Sequence, residues 1–239
     1  MIEVLKHIRL WGRDLINVII PDVCTVCHTP LVRGEDIMCL KCRMDLPRTN
    51  LYKFQPNLIH ERLVSLSAPI EQASSLFWYY RGNEFASLIH DAKYNHRPKI
   101  ATHLARMHAQ ELQANSFFDG IDLIVPVPMH WLKKLIRGYN QSEIIANGIS
   151  DVTGLQVADI MYTISLHSSQ TRKGAIQRQE NALDNYGVRH PEELNGKHIL
   201  LVDDVITTGA TLVACMRAIQ NVCPHTRFSI FSLALTHLH

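Results

Sequence analysis

The segment from Leu200 to Thr211, LLVDDVITTGAT, places two acids, three threonines and a glycine directly behind a branched apolar run. Ile199, Leu200, Leu201 and Val202 suit a strand covered on both faces in a parallel sheet. Open parallel sheets bind ligands just beyond the carboxyl ends of their strands, so Asp203 and Asp204 are expected to meet a ligand there rather than to pack. Two adjacent carboxylates can hold two vicinal ribose hydroxyls and can also face a magnesium ion. Thr207, Thr208, Gly209, Ala210 and Thr211 add small side chains, hydroxyl donors and a permissive glycine. Successive backbone N–H groups of such a loop can point at one anion, while a helix starting near Thr211 and Leu212 presents its positive end. A phosphate monoester fits that description. The plainer reading of the same letters is a strand followed by an ordinary capped helix.

A second constellation lies near the other end. Cys24, Cys27, Cys39 and Cys42 form two C-x2-C pairs separated by eleven residues. Each pair can aim two thiolates at one ion, and together they close a tetrahedral, structural zinc site. Pro30 and Gly34 in the connection fit a small ribbon whose core is insufficient without metal. His28 is an alternative ligand, disfavoured because it adjoins Cys27. Redox C-x2-C motifs are a competing reading, but no thioredoxin-like strand precedes either pair. Cys215 and Cys223 fall in a later helical region and read as core or neutral surface residues.

The elements that must carry these groups follow from periodicity. Ile2, Leu5, Ile8, Trp11, Leu15 and Val18 predict an amphipathic helix over 2–20, docked on its own protein or, with Lys6, Arg9 and Arg13, lying on a membrane surface. Pro21 ends it. Residues 46–62, with Pro47, Asn50, Pro56 and Asn57, read as a linker. Then come a strand at Phe77–Tyr80, a turn at Arg81, Gly82 and Asn83, and helices over 84–94 and 99–113. A buried strand over 121–127 leads through a loop to a helix near 141–150, and Phe228–Leu235 reads as a final strand. Strands and helices alternate through 121–236, which predicts an α/β protein with a doubly wound parallel sheet flanked by helices. The expected organisation is a helix at 1–20, a zinc ribbon at 21–46 and an α/β domain at 62–239. Of 239 residues, 46% are hydrophobic, and 24 basic against 22 acidic side chains leave a net charge of +2. That charge is too small to argue for nucleic acid by itself. Fourteen histidines can add charge below neutral pH. Charged residues interrupt the N-terminal apolar positions and no run reaches membrane-spanning length, so a cytoplasmic protein is expected.

The 202–211 loop resembles the signature of type I phosphoribosyltransferases. Together with the cysteine ribbon, LIHDAKY at 88–94, PVPMHWLKKLIRGYNQSE at 126–143 and QTRKGAIQRQEN at 170–181, it resembles the ComF/GntX family over nearly the whole chain. The resemblance implies a zinc ribbon joined to a type I phosphoribosyltransferase-like domain with a hood, and a role in uptake or utilisation of DNA. It also implies that Asp203 and Asp204 bind the ribose hydroxyls of phosphoribosyl pyrophosphate with Mg²⁺, and that Thr207–Thr211 bind its 5-phosphate. Val127, Pro128, Met129 and His130 would face the pyrophosphate, with Arg137 and Lys93 as cations. Lys133, Lys134, Arg172 and Lys173 are DNA-contact candidates, although a solvated face explains them equally. Arg172, Lys173, Gly174, Arg178 and Asn181 could form a flap. Burial statistics place Trp131 in the core; the alternative is a single-strand platform with Tyr139 and the cations of 133–137. Oxopurine salvage enzymes place an acid where this chain has Thr207, so turnover is not implied. Three functions remain: a phosphoribose-binding protein that contacts single-stranded DNA and other uptake proteins, an active Mg²⁺-dependent transferase of unknown acceptor, or a catalytically silent scaffold.

Overall fold

Around the apolar run at 199–202 the chain builds a five-stranded, wholly parallel sheet. The computed structural model describes residues 21–63, 70–80, 82–94, 97–164 and 186–237. The expected helix over 2–20, Arg81, and the 170–181 segment with Arg172, Lys173, Gly174, Arg178 and Asn181 lie outside the described residues. Two compact units divide the chain, Met1–Leu46 and Pro47–His239. The first contains helix α1 (Leu40–Asp45). The second runs α2 (Leu58–Leu63), β1 (Ile70–Tyr79), α3 (Ala86–Tyr94), α4 (Pro98–Gln113), β2 (Leu123–Pro126), α5 (Trp131–Arg137) and α6 (Gln141–Thr153). It continues through β3 (Gln156–Val157), β4 (Met161–Thr163), β5 (Tyr186–Val188), β6 (His198–Ile206), α7 (Ala210–Val222) and β7 (Arg227–Thr236).

The sheet order is β1-β7-β6-β2-β3, and β4 and β5 form a separate antiparallel pair. Alternating side chains of the central strands feed two cores. Ile199 and Leu201 of β6 join Leu63, Leu212, Met216, Ile219, Phe228 and Ile230 in one cluster. Leu200 and Val202 point the other way, to the face where Phe231 of β7 meets His108 of α4 with ring centroids 5.0 Å apart. There α4 and α6 approach closely at Gly148, where a Cβ would sit 3.0 Å from that of Ala105.

Several sequence expectations shift. Strand β1 begins at Ile70 rather than Phe77, because polar Gln72, Ser74 and Ser75 mask a segment whose backbone pairs with β7. The Ser74 hydroxyl is satisfied inside the core by Nε2 of His108 at 2.9 Å. Residues expected to be irregular around 46–62 lie along β1, with Trp78 N–H donating to Pro47 O and Thr49 N–H to Leu76 O. Buried Asn57 then starts α2: its Nδ2 donates to Leu51 O and Ala73 O, and its Oδ1 accepts from Ile59 N. Such side chain to backbone bonds start helices without any apolar period to announce them. The connection after β2, read as a loop, holds the short helix α5. Strand β6 runs through both acids to Ile206, with Asp203 in register with Ser232 of β7.

Candidate functional site

The two acids emerge where β6 leaves the core, and each is held by different neighbours. The Asp204 carboxylate forms an ion pair with Lys93 of α3 at 2.9 Å, with the two side chains only 17% and 21% exposed. Asp203 turns the other way: its Oδ1 accepts the Asp204 N–H at 2.9 Å and the Ser142 hydroxyl at 3.4 Å. Burial first, and the Asp204 carboxylate second, push Asp203 up to about 7. A carboxyl group poised there can donate or accept at neutral pH.

Beside them, Val127 N–H donates to Val202 O at 2.9 Å, so the segment after β2 is tied to β6. Asn140 fixes that segment from the far side, since its Nδ2 donates to Val127 O at 3.0 Å while its Oδ1 caps α6 by accepting Ser142 N–H. Arg137 closes the rim: Nη1 donates to Gln141 Oε1 at 3.1 Å and the guanidinium lies 5.1 Å from the centre of the Tyr94 ring. These groups surround a cavity of about 500 Å³. Of the residues singled out from sequence, Lys93, Val127, Pro128, Met129, His130, Lys133, Arg137, Asp203, Asp204 and Thr211 line it. Lys134 does not; it pairs with Glu143 at 2.8 Å. Trp131, expected in the core, is 58% exposed because α5 buries no residue. Nearby, the Tyr139 hydroxyl donates to Ala92 O at 2.6 Å and Arg137 folds onto Tyr94. Sequence reasoning missed Asn140, Gln141, Ser142 and Tyr186 as cavity walls. Gln141 Nε2 is buried without a hydrogen-bond partner, and burial pushes the Tyr186 phenol up to about 12, which keeps it a donor.

The turn at 207–211 is shaped by backbone demands. Gly209 has φ +82° as the residue preceding α7, and a Cβ there would lie 2.6 Å from Leu63 Cδ2. The positive φ favours glycine, and any Cβ would also force the Leu63 methyl to move. Arg62 of α2 braces the same turn, donating from Nη1 to Thr207 O at 2.9 Å and from Nη2 to Thr236 O. In a planar trans peptide, fixing the Thr207 carbonyl directs the Thr208 N–H the opposite way. Nothing in the pattern around 46–62 signals this arginine.

Thr207 faces a second cavity of about 650 Å³, which shares Lys93 and Val205 with the first. Its walls are aromatic: Tyr79, Tyr80 and His237 at the ends of β1 and β7, and His90 and Tyr94 on α3. Tyr80 and His237 stack, with centroids 5.3 Å apart and planes 18° from parallel. No carboxylate lies among the described residues that line it.

In the smaller unit the ligand atoms of Cys24, Cys27, Cys39 and Cys42 all lie within 4.8 Å of one another, with Cys27 and Cys39 sulfurs 3.7 Å apart. Four thiolates about 2.3 Å from one zinc ion would be about 3.8 Å apart, so this group can hold such a metal. The Glu35 carboxylate organises the second pair by accepting the N–H groups of Val32 and Leu40.

Residues 91–235 match the phosphoribosyl transferase domain family. The chain is 28% identical over 204 residues to "DNA utilization protein YhgH" of Salmonella typhimurium, covering 81% of this chain and 88% of that protein. It is 30% identical over 95 residues to "Competence protein F" of Haemophilus influenzae, covering 38% and 41%. Among solved structures, glutamine phosphoribosylpyrophosphate amidotransferase from B. subtilis aligns with a TM-score of 0.38 at 17% identity, over 56% of this chain and 26% of that one.

Proposed function

From the premise that this chain belongs to the phosphoribosyl transferase domain family and fits its ComF/GntX members, we propose that it binds phosphoribosyl pyrophosphate in the service of DNA utilisation. The observation that carries this reading is convergence. The acidic pair, the Val127–His130 segment, Lys93, Arg137 and the start of α7 all border one cavity, although they are scattered over more than a hundred residues of sequence.

The 5-phosphate takes the N–H groups of Thr207–Thr211 at the α7 N-terminus. The ribose hydroxyls take Asp203 and Asp204, which would also hold Mg²⁺. That ion supplies charge neutralisation for the diphosphate when bound. Arg137, Lys93 and the segment after β2 receive the pyrophosphate oxygens. Asp204 must exchange its ion pair with Lys93 for the ligand, which frees the ammonium for phosphate. Titration calorimetry with phosphoribosyl pyrophosphate, with and without Mg²⁺, tests this. Mg²⁺-dependent binding, weakened at least about tenfold in Asp203→Asn and Asp204→Asn, is expected, since each removes a charge-assisted contact. Absence of heat with folded protein would end the proposal.

A transferase reading is favoured by the second cavity, whose ring walls suit a flat acceptor next to Lys93 and Thr207. With no acid among its described lining residues, it offers stacking and donors rather than a base. Mg²⁺-dependent release of pyrophosphate on addition of nucleobases is the discriminating assay. Contact with single-stranded DNA is part of the proposal through Lys133, Arg172 and Lys173. A salt-dependent gel shift weakened by Lys133→Gln is its test.

A further inference from the structure

Helix α5 is amphipathic in the inverted sense. At about 100° per residue, Trp131, Leu135, Leu132 and Ile136 fall within an arc of about 140°. These four side chains are 58%, 74%, 47% and 77% exposed, and the helix buries none of its residues. Lys133 and Lys134 flank that arc on its two sides, about 60° beyond Ile136 and Trp131 respectively. Arg137 points back between them, onto Tyr94 and Gln141. The helix therefore turns its cationic back toward the cavity and its apolar front to solvent, an arrangement with a cost in water that some occupant must offset.

Charge and geometry select that occupant. A second copy related by two-fold symmetry would bring lysines against lysines. Two short helix faces would also cover far less than the roughly 1,200 Å² of a stable dimer. A nucleic-acid strand calls for stacking rings, and three of the four apolar residues are aliphatic. An anionic bilayer surface accepts all of it: Leu132, Leu135 and Ile136 enter the acyl boundary and Trp131 sits at headgroup depth. Lys133 and Lys134 extend sideways to lipid phosphates. The pair between Lys134 and Glu143 is a surface pair and exchanges at little cost. We propose that α5 is a peripheral docking face for anionic membrane, setting the mouth of the phosphoribose cavity beside the bilayer. This goes beyond the ligand reading and does not depend on it.

The test is co-sedimentation of the full chain with phosphatidylglycerol–phosphatidylcholine vesicles, against vesicles of phosphatidylcholine alone. Binding to the anionic vesicles is expected, falling with salt. The variant Leu135→Glu with Ile136→Glu should lower it by about tenfold or more, because two aliphatic groups that would enter the bilayer are replaced by charges. Those side chains do not line the cavity and are exposed, so the circular dichroism spectrum and urea midpoint of the variant should match wild type, which shows that it has folded. Lys133→Gln should weaken binding to anionic vesicles and leave any residual binding to phosphatidylcholine vesicles unchanged. A vesicle-induced blue shift of fluorescence should be lost in Trp131→Phe. The proposal is overturned if wild type ignores anionic vesicles or if the double variant binds them equally. It is also overturned if gel filtration shows a dimer that the double variant splits, or if that variant loses single-stranded DNA while keeping vesicles.

Discussion

Asp203 and Asp204 are chemically identical neighbours whose behaviour differs because a strand sends successive side chains to opposite sides. One meets Lys93; the other is buried against Ser142 and the first carboxylate. The pKa of Asp203 is raised from the ordinary carboxylate range to about 7. In the unfolded chain the proton is lost near pH 4, so stability falls as pH rises from there toward 7 and stays low above it. Asp203→Asn should therefore stabilise the protein at pH 8 by on the order of 2 kcal/mol and flatten urea-derived stability across that window. At the adjacent turn, Gly209→Ala should cost about 1–3 kcal/mol in the same measurement, from positive φ and collision with Leu63. Arg62 acts through the backbone it holds. Arg62→Ala should reduce affinity for ribose 5-phosphate about tenfold while leaving inorganic pyrophosphate binding unchanged, with Arg62→Lys intermediate. Equal losses for both ligands would mark general unfolding instead.

At the scale of elements, the segment 47–53 that lies along β1 is joined to α4 by a half-buried polar network. Arg48 donates to Glu111 at 2.7 Å, Tyr52 adds a bond at 3.2 Å, and His108 Nδ1 lies 3.6 Å from the same carboxylate. Burial lowers the pKa of His108, so the ring is neutral when folded. The unfolded ring gains its proton below about pH 6.5, and this contribution to stability is lost as the pH falls further. Glu111→Gln should cost about 1–3 kcal/mol at neutral pH by leaving Arg48 half-paired, measurable as a lower denaturant midpoint. The helix α5 belongs to this scale too. Its apolar period is legible in WLKKLIR, but which face meets solvent was set by the neighbours that claim Lys134 and Arg137.

For the whole molecule, the two units rest on different sources of stability. The larger has a two-sided core around its parallel sheet. Among the described residues of the smaller, the buried hydrophobic set is Cys24, Val26, Ile37, Met38, Cys42 and Leu46. Two of these six are expected ligands, so a metal held by the four cysteines would supply much of the folding free energy there. Chelation is expected to abolish amide protection at Thr25 and His28, which bond to Ile37 O and Cys24 O, and zinc should restore it. Protection that survives complete metal removal would refute the assignment. No helix among the described residues is long and apolar enough to cross a membrane.

The sequence by itself determined the central strand, the acidic pair, the glycine-bearing turn and the cysteine spacing, because each is written in a short contiguous run governed by local stereochemistry. It also determined the alternation that makes the sheet parallel. Only the tertiary structure decided which acid would be buried, that Lys93 and Arg137 would reach one cavity, and that Asn140 and Arg62 would brace backbone far away in the chain. It alone turned Trp131 outward. Those outcomes depend on contacts between segments distant in sequence, and such contacts leave no periodic trace along the chain.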